Sequence, residues 1–244
     1  EVLTATDFEE DCVETLSTNK RASLRVEPRR RRTYLQRTNI LLADVADLAR
    51  RDLLPKGRRG TWRPDLLVGG PPCQPFSSSG AQKSVLDSRG RLFEQFVRLA
   101  SELSPRFVLF ENVRGLVTAR GRSGEPGEAL AMVREAFEEV GFATRFAVLN
   151  AADYGCPQRR VRLFMLATRD HVLPEFPVAT HSRTPEQTLF DSTEPWVSLG
   201  EFLADRAAPD PSEVVEPGSK LLAELKDVPS GSGLKSPGGK EATR

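Results

Sequence analysis

An α/β domain with a mostly parallel sheet and helices on both faces is what this sequence predicts, and three observations carry the prediction. Short apolar runs of strand type alternate with amphipathic helical stretches as far as about residue 170, the pattern of a parallel sheet with helical crossovers. Glycine and proline clusters stand where those runs stop, which marks the turns. Hydrophobic residues at 39% and charged residues at 28% of 244 give an ordinary globular composition, with room for one such domain and the start of another.

The elements follow in order. Residues 2–7 read as a short strand and 9–17 as a helix; 39–42 as a strand and 45–54 as a helix. Residues 55–63 form a loop rich in glycine and arginine, and 65–68 a short apolar strand that runs into Gly69, Gly70, Pro71 and Pro72. Across residues 89–103 an apolar face recurs at Leu92, Phe93, Phe96, Val97, Leu99 and Ala100, the spacing of a helix. Residues 106–110 are a buried-type strand, and 128–140 a helix that Gly141 stops. Two further strands are predicted over 142–149 and 161–167. Residues 1–170 therefore make up one domain. Over 171–244 periodicity fades, proline, serine and threonine become frequent, and the end from residue 228 reads as linker.

Several function classes are excluded. No run approaches the roughly 18 apolar residues of a membrane span, and the opening residues lack the basic and apolar segments of a secretory leader. Cys12, Cys73 and Cys156 form no CxxC pair, and His171 and His181 lack metal-ligand spacing, so no zinc cluster or disulfide framework is expected and the thiols fit a reducing cytoplasm. The net charge is +1, yet residues 20–37 hold Lys20, Arg21, Arg25, Arg29, Arg30, Arg31, Arg32 and Arg37 against Glu27 alone. That run suits nonspecific phosphate contact; it equally suits a solvated insertion.

In an open parallel sheet, ligands bind outside the carboxyl ends of the strands, and three strand ends carry chemistry. After residue 68 comes GGPPCQPFS, residues 69–77. Its glycines allow a sharp turn and its prolines stiffen the loop, so Cys73 is displayed, although a lone cysteine is more often a core residue. After residue 110 comes ENV, residues 111–113. Glu111 can hold a proton against a ring nitrogen, or else cap the turn or pair with Arg114. Before the last strand comes QRRVR, residues 158–162. Arg160 and Arg162 share a face there, or belong to a surface basic cluster. Cys156, beside Pro157, reads as a packing residue. A cysteine, a glutamate and arginines without histidine ligands match neither a zinc deaminase nor a cysteine protease, and suit the activation of an electron-poor ring.

In this order and spacing, GGPPCQPFS, ENV and QRRVR resemble the cytosine-5 DNA methyltransferase family, in its bacterial form, from the start to about residue 167. The resemblance implies a Rossmann-like AdoMet-dependent methyltransferase fold. It implies transfer of a methyl group from S-adenosylmethionine to C5 of a cytosine flipped out of duplex DNA. Cys73 becomes the nucleophile, Glu111 the contact to N3 and the amino group, Arg162 a base contact and Arg160 its support. On the cofactor side it implies Asp7 for the ribose hydroxyls, Phe8 and Leu92 against the adenine, Asp44 at the adenine amino group, and Val45 and Pro72 in the same pocket. No metal is implied.

Two departures accompany the resemblance. The family opens with a Phe-x-Gly-x-Gly loop around the methionine end of the cofactor, whereas this sequence opens downstream of it. Residues 180–225 resemble the entry to the target-recognition region, after which the sequence stops. The expectation is a fragment that binds the cofactor weakly alone. As partners the resemblance implies duplex DNA and no membrane, a monomer in the cytoplasm or at the nucleoid, and a restriction endonuclease linked functionally but not physically. A catalytically silent homologue that binds DNA or a partner, and an RNA cytosine-5 methyltransferase, are the alternatives.

Overall fold

The computed structural model describes residues 2–21, 35, 37–54, 62–71, 92–121, 123–170, 172–185, 192–204 and 218–226. They form two compact units, Glu1–Leu149 with Val161–Pro177, and Asn150–Arg160 with Val178–Arg244.

The first unit opens with a parallel pair. β1 (Thr4–Asp7) lies beside β2 (Asn39–Leu42), in a register that sets Thr4 opposite Asn39 and Asp7 opposite Leu42. Helix α1 (Glu10–Arg21) joins them, with Glu10 and Asp11 at its positive end. It runs four residues beyond the predicted end, and Lys20 Nζ donates to the Thr38 carbonyl at 2.7 Å. That lysine is thereby removed from the basic run, most of which lies outside the described residues.

The helix predicted over 45–54 shrinks to α2 (Arg50–Leu53). Asp44 is the reason: its Oδ1 accepts from the Ala46 N–H at 2.8 Å and its carbonyl accepts from the Asp47 N–H at 3.1 Å. An aspartate that folds its own turn competes with helix formation.

A four-stranded sheet follows, in the order β3 (Leu66–Gly69), β4 (Phe107–Val113), β6 (Val161–Thr168), β5 (Ala143–Asn150). β3 and β4 are parallel, with helix α3 (Leu92–Leu103) between them in sequence. β6 runs antiparallel to β4, so the α/β sheet is mixed, with this strand reversed against the parallel β3 and β4. Chain length explains the reversal. Only residues 151–160 join β5 to β6, and a parallel return takes a dozen residues or more. β4 is also longer than predicted: it continues through Glu111, Asn112 and Val113, which pair with Phe164, Leu163 and Arg162.

Helices α3 and α4 (Glu128–Glu139) pack one face of this sheet, and α4 stops at Gly141, whose φ is +85°. The alternation along β4 turns Val108 and Phe110 inward to meet them. Phe137 of α4 is the centre of the core. Its ring lies 6.3 Å from Phe96, 6.4 Å from Phe110 and 6.1 Å from Phe142, each edge-on, a favoured arrangement for aromatic pairs. A second cluster, Leu48, Leu99 and Leu103 with Leu41 and Leu67 against it, joins the first sheet to α3. Arg98 reinforces the joint by donating to the carbonyls of Val45 at 3.1 Å and Leu48 at 2.8 Å.

The described residues of the second unit include short regular elements that the sequence did not predict. The unit holds a 3-10 turn (Ala151–Tyr154), a two-residue parallel pair of β7 (His181–Ser182) and β8 (Glu194–Pro195), and helices α5 (Leu199–Leu203) and α6 (Ser219–Leu225). A reciprocal cap starts α5: Ser198 Oγ accepts from the Glu201 N–H at 3.1 Å, and Glu201 Oε2 from the Ser198 N–H at 3.4 Å. Among the described residues no helix is long and apolar enough to cross a membrane.

Phe137 is fully buried, so Phe137→Ala is expected to destabilise the protein by about 3–5 kcal/mol. Urea unfolding measures this; a loss below about 1 kcal/mol would show that the four rings do not form the core.

Candidate active site

Two groups of predicted residues come together in the first unit, each at strand ends. The first group lies beyond β1 and β2. The Ala43 N–H donates to the Asp7 carbonyl at 3.0 Å and so extends the ladder by one residue, which places Asp7 and Asp44 at the same end of the pair. Each acid folds its own exit turn, Asp7 Oδ1 accepting from the Glu9 N–H at 3.0 Å and Asp44 Oδ1 from Ala46. Phe8, directly after Asp7, leaves 59% of its surface exposed, an uncovered ring at the mouth of a strand. Val45 is half-buried against the leucine cluster. Leu92 is the first residue of α3. The field of the acids is felt nearby. The thiol of Cys12 is pushed above its ordinary pKa by Asp7 first, then by burial, Glu9 and Asp11. Such a thiol is disfavoured as a thiolate nucleophile.

The donor chemistry fits S-adenosylmethionine. Carboxylates accept from hydroxyl and amino groups, an exposed ring can stack on a purine, and negative charge complements a sulfonium. Asp7, Phe8, Asp44, Val45 and Leu92 are the described residues that would hold it; Pro72 lies outside them.

The second group forms where β3 ends against β4, which runs on for three more residues. Gly69 pairs with Phe110, so Gly70 lies beside Glu111. A Cβ built on Gly70 would stand 2.9 Å from Glu111 Oε2, closer than real side chains approach. Glu111 Oε1 in turn lies 3.1 Å from Arg162 Nε, with the two side chains 35% and 26% exposed. The partner comes from across the ladder, where Arg162 pairs with Val113; it is not Arg114, the alternative that sequence proximity offered. Arg162 Nη1 also donates to the Val161 carbonyl at 2.8 Å.

Asn112, between Glu111 and Val113, points the other way and is 4% exposed. Its Oδ1 accepts from the Val113 N–H at 2.9 Å and its Nδ2 donates to the Pro71 carbonyl at 3.3 Å. A buried amide left unpaired is costly; here both ends are satisfied, and one of them grips the loop two residues before Cys73. Sequence reasoning missed Asn112. The signal was present, because in the alternation of β4 it occupies an inward position otherwise held by Val108 and Phe110.

Cys73 itself lies outside the described residues. Cys156, expected to be a packing residue, is instead exposed, because the chain there leaves the 3-10 turn for a surface loop. Arg160 is exposed at the end of that loop, and its carbonyl accepts from the Ala151 N–H at 3.0 Å. Among the described residues no cluster of histidine, cysteine and acidic side chains could hold a metal ion.

A mixed α/β sheet of this order has the fold of the Rossmann-like methyltransferase class. Comparison with known proteins narrows the class. Residues 7–214 match the family model described as C-5 cytosine-specific DNA methylase, and the chain belongs to that family. It is 34% identical over 238 residues to the Type II methyltransferase M.SacI of Streptomyces achromogenes, covering 94% of this chain and 55% of that one. It is 32% identical over 157 residues to the Type II methyltransferase M.AquIA of Picosynechococcus sp., covering 63% of each. The chain thus spans between half and two thirds of these curated relatives. Among solved structures, the Entamoeba histolytica methyltransferase EhMeth aligns with a TM-score of 0.50 over 73% of this chain and 47% of that one, at 14% identity, a likeness that bears on the fold alone. The family's methyl donor is S-adenosylmethionine.

Gly70→Ala is expected to push Glu111 off Arg162, because the added methyl would occupy the position next to Oε2. A crystal structure of the variant reads the displacement directly. An unmoved pair at 3.1 Å would show that the loop, not the carboxylate, gives way.

Proposed function

We propose that this chain is the catalytic portion of an enzyme that methylates C5 of a cytosine flipped out of duplex DNA, through a covalent adduct with Cys73. The observation that carries the reading is the corner at the end of β4. The Glu111–Arg162 pair stands beside Gly70, and Asn112 holds the carbonyl of Pro71, two residues ahead of Cys73.

In this reading the corner acts on the pyrimidine ring. The Cys73 thiolate adds to C6, and the electron pair of the C5–C6 bond becomes available at C5. Glu111 holds N3 and the amino group, and Arg162 holds O2, so the charge that develops on the ring meets a proton and a cation. S-adenosylmethionine, when bound, would supply an electrophilic methyl group, its sulfur keeping the electron pair of the broken bond as a neutral thioether. C5 takes that methyl, then loses its proton to a base, and the electron pair returns to expel the Cys73 thiolate from C6. A free thiol titrates near 8.5. Cysteine nucleophiles in general are activated where hydrogen-bond donors or positive charge stabilise the thiolate. Flipping the base costs a few kcal/mol of unstacking, offset by contacts to the extruded ring.

Asp7, Phe8, Asp44, Val45, Pro72 and Leu92 bind the adenosine portion of the cofactor in this scheme, and Arg160 supports the base-binding loop. The full-length protein works as a cytoplasmic monomer on DNA at the nucleoid, and any cognate restriction endonuclease is a functional rather than physical partner. Full-length protein with tritiated S-adenosylmethionine and either duplex DNA or tRNA tests the reading. Label is expected in DNA. Label in tRNA instead moves the substrate to RNA, and binding without label in either makes the protein a silent homologue.

Cys73→Ser is expected to abolish methyl transfer while DNA binding persists, since serine is nearly isosteric and a far weaker nucleophile. DNA carrying 5-fluorocytosine is expected to trap an adduct with the wild type only, because fluorine cannot leave as the proton does; an adduct with the variant removes Cys73 from this role. Glu111→Gln is expected to lower the single-turnover rate about 10²–10⁴-fold, and a near-wild-type rate would leave Glu111 with structural work only.

A further inference from the structure

The loop that carries Arg159 and Arg160 belongs by its contacts to the second unit, and one acid in that unit gathers the contacts. Asp153 is the third residue of the 3-10 turn before the loop. Its Oδ1 accepts from Trp196 Nε1 at 2.9 Å, and its carbonyl accepts from the Thr180 N–H at 2.9 Å. Both donors come from the segment after the catalytic half. They are themselves joined through the short pair of β7 and β8: the Glu194 N–H donates to the Thr180 carbonyl at 2.9 Å, and the Trp196 N–H to the Ser182 carbonyl at 3.1 Å.

The same elements bear on the loop beyond Asp153. The His181 ring lies against Gly155 so closely that a Cβ there would stand 2.9 Å from Cε1. The Arg159 guanidinium lies 5.8 Å from the centre of the Trp196 ring, within cation–π range. The two ends of the loop close on each other through Ala151 and Arg160.

We propose that Asp153 and Trp196 are positioning residues: Trp196 holds Asp153 and backs Arg159, and so fixes the loop that presents Arg159 and Arg160. The placement of those arginines then depends on the order of a segment more than thirty residues downstream, from which Trp196 lies against Arg159. Its consequence for methyl transfer rests on the function proposed above; its consequence for the loop does not.

Trypsin reads the loop directly, since it cuts after arginine. In the full-length protein, Trp196→Phe keeps a ring behind Arg159 and removes the only donor of the indole. Asp153→Ala removes the acceptor. Asp153→Asn keeps an acceptor without the charge. Cleavage after Arg159 or Arg160 is expected to speed up roughly tenfold in W196F and in D153A, the scale of one hydrogen bond to a charged group, and no further in the double variant, because both remove the same bond. D153N is expected to stay protected. The single-turnover methylation rate is expected to fall in step with cleavage, while affinity for S-adenosylmethionine stays level. Wild-type cleavage rates in W196F and D153A, or additive effects in the double variant, overturn the proposal. Lost cofactor affinity in the same variants overturns it as well, because that signals general unfolding. Faster cleavage with an unchanged methylation rate overturns the link from loop to catalysis. A wild type that never methylates DNA, with the cleavage pattern as expected, leaves the positioning role standing and removes only the proposed function.

Discussion

β4 is hydrogen-bonded on both sides, parallel to β3 and antiparallel to β6, and the side chains of the candidate active site take their places from that double register. Because strand side chains alternate, a slip of one residue would turn every one of them to the opposite face. Asn112 would then face outward, Glu111 would enter a core of Phe96 and Phe137, and no partner for a buried carboxylate stands there among the described residues. The phenylalanine core prevents such a slip. Phe110 fits against Phe96 at 6.0 Å and Phe137 at 6.4 Å, and the fit of an aromatic ring into a close-packed interior is intolerant of displacement. Packing on one face of the sheet thus sets the chemistry at its end.

Two polar devices then extend this rigidity from the sheet into the loop. Asn112 spends a buried amide on Pro71, and burial strengthens the hold because an alternative partner in water is excluded. Gly70 lets the loop backbone lie against the Glu111 carboxylate. A side chain at position 70 would stand against that carboxylate and push the loop and the acid apart. Neither device adds much to stability in the way Phe137 does. Their effect is to fix a distance, which matters for a reaction whose partners must meet in one geometry. The acids beyond β1 and β2 rely on a looser arrangement, in which each is folded into its own turn.

How much of this was legible in the sequence depended on the range of the forces involved. The strands around Asp7, Gly69 and Glu111 announced themselves through local alternation and the glycine–proline cluster. The motif resemblance assigned roles to Cys73, Glu111 and Arg162. The extent of β4 was not legible, since residues 111–113 look polar and are held in strand conformation only by the ladder to β6. The missing first half of the 45–54 helix was in principle readable, because Asp44 is a turn-forming residue at the point of failure. The pairing of Glu111 with Arg162 over Arg114 follows from strand order, and the link from Asp153 to Trp196 spans 43 residues with no local mark at either end.

Arg160 and Arg162 stand two positions apart in sequence and are held by different means. Arg162 lies within a strand whose ladder to β4 is continuous from Arg162 to Thr168, through the core pairs of Leu163 and Met165, so it shares the stability of the sheet. Arg160 lies just outside the strand, exposed, in a loop closed by a backbone hydrogen bond to Ala151. Local stability follows local contacts, and a ladder of buried strand residues opens far less often than a loop with a few partners. A change that loosens the loop therefore alters Arg159 and Arg160 while the Glu111–Arg162 pair keeps its geometry. The arginine that faces the acid is built into the fold, and the arginines beside it are placed by contacts that a distant segment supplies.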